Sequence, residues 1–473
     1  MIAQGTQVHF IGIGGTGMSA IASILLARGH AVSGSDLRET EATRRLRALG
    51  AHIQIGHAPE HVKAGQVVVI SRAVPEENVE IQAALTQGLP IMHRAQMLAG
   101  LMEGTRSIAV VGTHGKTTTT SMLAMILEKA GRDPTMLIGG EVDDFGGNAR
   151  AGRGPDLVAE VDESDGSLLW IAPRIAVVTS LDATDHLDFY SSEGRLLETF
   201  RMFVESLPAG GFAVVCTDAP AGRALASAVT PRVVTYGLEA GAAYTARVVE
   251  MAGRRTVFEA RRGAAVLGRI TLGIPGSYNV QNALGAIAAA TELGVPFDMC
   301  ASALGAFRGV QRRFTVRGEI GGVLVVDDYA HNPTKVRALL EGARRCWPES
   351  RIIAVFQPHR YSRTQTVGGQ FAGVFDPADE IIVTEIYPAD EAPLPGVDAG
   401  IIVRAIAATR QVRFIADPAQ VAPALAREVH AGDLVLTIGA GDVWKVADDL
   451  VERLRRRERE AAHGGDDRGS PRG

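Results

Sequence analysis

Two short apolar runs in this chain each end on a glycine-rich loop that opens a segment of helical periodicity, and few folds accommodate that order. The first run, Val8 to Ile13, leads into Gly12-Ile13-Gly14-Gly15-Thr16-Gly17 and then an apolar-periodic stretch, Met18 to Leu26. The second, SIAVVG at 107–112, leads into Gly112-Thr113-His114-Gly115-Lys116-Thr117-Thr118. A buried strand, a turn without side chains and a helix N-terminus together present backbone N–H groups to an anion. Both loops therefore predict parallel βα units with phosphate-binding turns.

The first loop satisfies G-x-G-x-x-G, and Asp36 ends the next predicted strand. Taken alone, it suits a nicotinamide-type dinucleotide or any diphosphate that carries a sugar. The second lacks the leading glycine of a full Walker A pattern, because Val110 stands there, but its GKT core is intact. Lys116 offers a point charge to β- and γ-phosphate oxygens, and Thr117 offers a hydroxyl to a divalent ion. Lysine is scarce in this chain (63, 116, 129, 335 and 445), while arginine fills nearly every other basic position. Its retention at 116 fits a compact ammonium inside a wrapped loop, where a planar guanidinium would not go.

Acidic residues outnumber basic ones, 53 to 48, for a net charge of −5, which argues against a nucleic-acid partner. Cys216, Cys300 and Cys346 are too few and too scattered for a disulfide framework or a zinc site. The start of the chain has no signal-peptide pattern, and no apolar run approaches the ~18 residues of a membrane span. The expectation is a cytoplasmic protein, monomer or homodimer, with no membrane partner.

Strand–helix alternation recurs three times, so the predicted class is α/β with three domains. These are a Rossmann-like N-terminal domain over 1–104, a central P-loop-type ATPase domain over 105–315 and a C-terminal Rossmann-like domain over 316–457. The stretch 231–275 reads as a meander of short strands. Residues 458–473 read as a disordered tail, since the apolar face of the last helix stops near Arg457.

Four polar clusters follow predicted strands, at the edge where parallel sheets bind ligands. Glu160-Val161-Asp162-Glu163-Ser164-Asp165 gathers carboxylates suited to Mg²⁺. Asp182 to Asp188 places His186 among aspartates as a second metal ligand. Asp327-Asp328-Tyr329-Ala330-His331 ends a strand of the last region, and Gln357-Pro358-His359-Arg360-Tyr361-Ser362-Arg363 ends another. Two arginines and a histidine at such an edge suit a carboxylate or phosphate.

In this order the segments HFIGIGGTGMSAIA, VSGSD, GTHGKTTTT, AEVDESD, DHLD, GSYNVQNALGAIAAA, RRF, DDYAHNPT, FQPHRYSRT, IYPADE and GAGDVW resemble the Mur ligases of peptidoglycan synthesis, from Val8 to about Trp444. Within that family His114, DESD and FQPHRYSRT favour the alanine-adding branch over the tripeptide-recycling one. The resemblance implies ATP-dependent joining of L-alanine to the lactyl carboxylate of UDP-N-acetylmuramate through an acyl phosphate. It implies Gly12, Gly14, Gly15 and Gly17 around the sugar diphosphate, and Gly112 to Thr118 around ATP. Thr117, Glu160 and His186 would hold Mg²⁺, while Asn279, Asn282, Arg313 and Asp328 would contact the nucleotide. Tyr329, His331, His359, Arg360 and Arg363 would hold alanine and the reacting carboxylate. Lys116, His331, Arg360 and Arg363 would be the catalytic groups. A nicotinamide-dependent oxidoreductase is the rival from another reaction class; it rests on the first loop and Asp36.

Overall fold

The computed structural model describes residues 2, 3, 5–182, 187–190, 192–389 and 391–465. They form two compact units, one of 1–249, 257–272 and 278–310, the other of 250–256, 273–277 and 311–473.

The first unit holds two sheets. The smaller is fully parallel, in the order His52–Ile55, Ala31–Asp36, Gln7–Ile11, Gln66–Ile70, Ile91–His93. Its strand order reverses at Gln7–Ile11, so the first glycine loop leaves the sheet at a topological switch point. Val8, Phe10 and Ile11 have no solvent exposure, as expected of a strand covered on both faces.

The larger sheet has ten strands, with Arg106–Val111 between Ile175–Val178 and Asp156–Glu160. All three are parallel and buried, and helix Lys116–Lys129 follows the central one. The ends of these strands bring the Gly112 loop, Glu160 and Thr179 to one edge. The expected meander over 231–275 needs correction. Arg232–Gly237 pairs in parallel with Phe212–Cys216 and belongs to the main sheet; Tyr244–Ala252, Arg255–Arg262 and Ala265–Leu272 extend it outward in sequence order. Tyr236 is fully buried there, and short apolar runs do not reveal from sequence whether their neighbour is parallel.

The second unit carries a six-stranded sheet ordered Thr315–Ile320, Val323–Asp328, Leu434–Ile438, Ile352–Phe356, Glu380–Val383, Arg413–Phe414. Only the first pairing is antiparallel. Helix Trp444–Gly465 lays Val446, Ala447, Leu450, Val451 and Leu454 on it. That helix passes Arg457 and continues to Gly465, beyond the start expected for a disordered tail. Arg and Glu are good helix formers, and an exposed helix end needs no apolar face. Residues 466–473 of the expected tail lie outside the described residues.

Candidate active site

In the first glycine loop, Gly12 adopts φ +77°, and its N–H and that of Ile13 both donate to the Ser35 carbonyl. Gly14 donates its N–H to Asp36 Oδ2 at 2.8 Å. A β-carbon on Gly14 would stand 2.9 Å from that same oxygen and 3.1 Å from Thr40 Oγ1. Asp36 thus serves the loop itself, a different use from the ribose contact that a nicotinamide site would make of it. Gly15 caps helix Thr16–Ala27, and Gly17 lies in its first turn.

The second loop is held from the neighbouring strand end. Thr113 N–H donates to the Ser180 carbonyl at 3.0 Å, and His114 N–H donates to Ser180 Oγ at 2.8 Å. Thr179 Oγ1 donates to the His114 carbonyl at 2.5 Å. Gly112, at φ +129°, has no room for a side chain: a β-carbon would lie 2.8 Å from the Ser180 carbonyl oxygen. Gly115 sits at φ +79°, where a β-carbon would overlap Asn282 Oδ1. Asn282 in turn accepts from Thr119 Oγ1 at 3.4 Å and donates to Asn279 Oδ1 at 3.3 Å. Asn279 and Asn282 are therefore brought to the phosphate loop. Thr118 is buried in the same helical turn.

Lys116 Nζ donates to the Gly112 carbonyl at 2.6 Å and to Glu163 Oε1 at 2.8 Å. Burial alone would pull this ammonium's pKa down, but Glu163, Asp162 and Glu160 outweigh it and hold the pKa above its ordinary value. The loop therefore carries a fixed positive charge aimed at its own backbone. His114 Nε2 lies 3.1 Å from Asp182 Oδ2.

Glu160 Oε2 accepts the Gly139 N–H at 2.9 Å, and a β-carbon on Gly140 would meet Thr117 Cγ2 at 3.3 Å. Thr117 and Glu160 thus flank one stretch of backbone, and a hydroxyl with a carboxylate is the hard-oxygen chemistry that Mg²⁺ takes. His186, the third expected ligand, lies outside the described residues.

In the second unit, Asp328 is buried and its carboxylate is engaged by backbone. Oδ2 accepts from Phe314 N–H at 2.8 Å and Oδ1 from Ala330 N–H at 2.7 Å. It fastens a turn in which Arg312 and Phe314 both have left-handed φ, +60° and +52°. Burial raises its pKa above the usual carboxylate range despite the nearby Arg313. The Arg313 guanidinium stands 5.1 Å over the Tyr329 ring.

The remaining expected residues form one array. His331 Nδ1 lies 2.9 Å from the Tyr329 carbonyl, and its ring centre is 6.0 Å from that of His359. His359 stacks on Tyr387 at 5.8 Å and lies 3.0 Å, Nδ1 to Nη1, from Arg363. Arg360 has φ +69°, donates its N–H to the Tyr387 carbonyl at 2.8 Å and approaches Glu391 at 3.9 Å. Burial, then the positive charges of Lys335 and Arg363, push the His331 pKa well below its ordinary value. Burial, then Arg363 and Arg360, bring His359 down to about 4. Both imidazoles are thus neutral near pH 7, beside two guanidinium groups.

Sequence reasoning missed Glu163 as the partner of Lys116, and Thr179 and Ser180 as the posts of the phosphate loop. All three stand at strand ends in the sequence. That those strands flank Arg106–Val111 depends on sheet order, which the residues do not carry.

Family models cover nearly the whole chain. "Mur ligase family, catalytic domain" matches residues 7–106, "Mur ligase middle domain" 110–290 and "Mur ligase, glutamate ligase domain" 312–441. The chain is 48% identical over 451 residues to the UDP-N-acetylmuramate–L-alanine ligase of Geobacter sp. strain M21, covering 95% of this chain and 98% of that protein. The like-named ligase of Anaeromyxobacter dehalogenans is 47% identical with the same coverage. Among solved structures, the UDP-N-acetylmuramate–alanine ligase of Thermotoga maritima aligns with a TM-score of 0.81 at 31% identity, over 95% of this chain and 99% of that one. A murein peptide ligase from Psychrobacter arcticus aligns at 0.69 and 25% over the same shares.

Proposed function

The chain belongs to the Mur ligase family, and from that premise we propose that it joins L-alanine to the lactyl carboxylate of UDP-N-acetylmuramate at the expense of ATP, in the synthesis of peptidoglycan precursors. The observation that carries this reading is the 48% identity to a UDP-N-acetylmuramate–L-alanine ligase over 95% of the chain. The recycling ligase is less well supported, with lower identity and a lower TM-score. The oxidoreductase reading leaves the Lys116 loop without a purpose.

A carboxylate and an amine condense only when a carboxylate oxygen becomes part of a leaving group. In the first step an oxygen of the lactyl carboxylate attacks the γ-phosphorus of ATP, the bond to the β,γ-bridging oxygen breaks, and ADP departs. In the second, alanine's amine attacks the acyl carbon, the carbon–oxygen bond to phosphate breaks, and the nitrogen loses a proton. We assign Gly112 to Thr118 to the ATP phosphates, with Asn279 and Asn282 supporting that loop. Lys116 offsets the meeting of two anions in the first step. Gly12, Gly14, Gly15 and Gly17 take the diphosphate of the sugar nucleotide. Thr117 and Glu160, with His186, are the residues that would hold Mg²⁺, whose chemistry there is neutralisation of phosphate charge.

Arg360 and Arg363 take carboxylates by paired N–H donors, with Tyr329 and His359 beside them. His331, held neutral, is suited to accept the amine proton. Arg313 and Asp328 are assigned to the nucleotide, Asp328 through the turn that it fastens. The working domains in this reading are 1–104 for the sugar nucleotide, 105–315 for ATP and 316–457 for the amino acid. We propose a cytoplasmic enzyme, monomer or homodimer; among the described residues no helix is long and apolar enough to cross a membrane.

The test is ADP release with UDP-N-acetylmuramate and a panel of acceptors. L-alanine should trigger release and the sugar nucleotide should be required. Release driven by a murein tripeptide in preference to alanine would replace this reading with the recycling one.

A further inference from the structure

One guanidinium stands between the helix that follows the first glycine loop and the acidic turn 162–165. Arg94 opens helix Arg94–Met102, behind a capping box formed by His93 and Gln96. Its Nη2 donates to Asp162 Oδ2 at 2.8 Å and stands 3.9 Å from Asp165 Oδ2. Its Nη1 lies where a β-carbon on Gly17 would come within 3.3 Å of it. One end of the planar group is therefore tied to the acidic turn after Glu160, while the other lies against the first turn of helix Thr16–Ala27. That turn carries no acidic side chain. An arginine resting against the positive end of a helix gains nothing from the peptide dipoles and is disfavoured by them. Asp162 explains how the side chain is held there; an anion on the glycine loop explains why a cation is placed there.

The same tether reaches the ATP loop: Glu163, next to Asp162 in the chain, accepts from Lys116 Nζ at 2.8 Å. Arg94, the adjacent carboxylates Asp162 and Glu163, and Lys116 thus alternate in charge.

We propose that Arg94 is a positioning residue for the phosphates of the sugar nucleotide, and that Asp162 orients its guanidinium and thereby registers that substrate against the Lys116 loop. The proposal rests on the function given above and adds a residue that none of the glycine-loop assignments includes. Guanidinium geometry supports it, because one planar fork serves a carboxylate on one edge and a phosphate on the other.

The test titrates UDP, without sugar or amino acid, into the full-length protein by calorimetry. Arg94→Ala should raise the Kd for UDP about ten- to hundredfold, with the Kd for ATP changed no more than about twofold. Arg94→Lys should recover part of the loss, since the charge survives and the fork does not. Arg45→Ala separates structure from binding: Arg45 pairs with Glu141 at 2.8 Å, an ion pair of the first unit that does not involve Asp162. An unchanged UDP affinity in folded Arg94→Ala, or an equal loss in Arg45→Ala, overturns the proposal. Alanine-triggered ADP release by the unaltered enzyme is measured on the same preparation. If that release fails while UDP binding still depends on Arg94, the function is wrong and this assignment stands.

Discussion

Replacing Lys116 with methionine tests two roles at once, and the structure predicts that a second substitution separates them. The Lys116 side chain is 15% exposed and Glu163 not at all, and 2.8 Å separates Nζ from Oε1. Removing the ammonium leaves a buried carboxylate facing an apolar side chain. Breaking a buried pair from one side costs about 3–5 kcal/mol, and the partial exposure of Lys116 reduces that here to about 2–4 kcal/mol. Local opening reports such a loss directly. Amide exchange in helix Lys116–Lys129 should accelerate about 30- to 1,000-fold in Lys116→Met, at roughly 1.4 kcal/mol per decade. Adding Glu163→Gln removes the carboxylate charge and should return most of that protection. Turnover should behave differently: a charge aimed at phosphates is worth about 10²–10³ in rate, and the double variant should stay as inactive as the single one. Protection unchanged in Lys116→Met would refute the ion-pair argument. Turnover regained in the double variant would refute the phosphate role.

Three further outcomes follow from local geometry. His331 and His359 are both held below their unfolded pKa, so the unfolded chain binds more protons than the folded one under mildly acidic conditions. The stability of the second unit should therefore fall between about pH 6.5 and 4. With His359 at about 4, its share at pH 5 is about 1–2 kcal/mol; a urea midpoint that does not move between pH 7.5 and 5 would contradict this. Gly115→Ala places a methyl group on Asn282 at a left-handed φ and should weaken ATP binding at least tenfold. Gly131→Ala, at a similar φ of +72° with open space around it, should leave ATP binding unchanged. Arg360 combines φ +69° with ψ 141°, a conformation that costs a non-glycine residue about 1–3 kcal/mol. Arg360→Gly should melt later than Arg360→Ala although both lose the guanidinium, and equal melting temperatures would show that the backbone there is unstrained.

Sequence alone gave the three parallel-sheet regions and the strand ends on which polar residues gather, because buried strands and glycine turns are local signals. It did not give the partners. Ser180, which accepts and donates across the phosphate loop, is one polar residue among many in 107–188 until sheet order puts Ile175–Val178 beside Arg106–Val111. Asp328 illustrates the opposite case. Its position at a strand end suggested a ligand contact, yet both carboxylate oxygens meet backbone N–H groups of its own turn. Arg232–Gly237 reads from sequence as part of a meander because a six-residue strand carries no sign of its neighbour's direction. In each case the missing information is pairing between segments far apart in sequence.

The glycines make the same point about motifs. Gly14 leaves space that Asp36 and Thr40 fill, and Gly112 and Gly115 leave space for Thr179, Ser180 and Asn282. At these positions the missing side chain admits the protein's own groups first; those groups then hold the backbone N–H array in shape for a phosphate. An acid at the end of the second strand is therefore compatible with two designs, one in which it reaches a ribose and one in which it braces the loop. With Gly14 N–H already on Asp36 Oδ2, this chain uses the second. That is how a fingerprint shared with nicotinamide enzymes is compatible with the sugar-diphosphate role proposed for this domain, and why the fingerprint by itself could not choose between them.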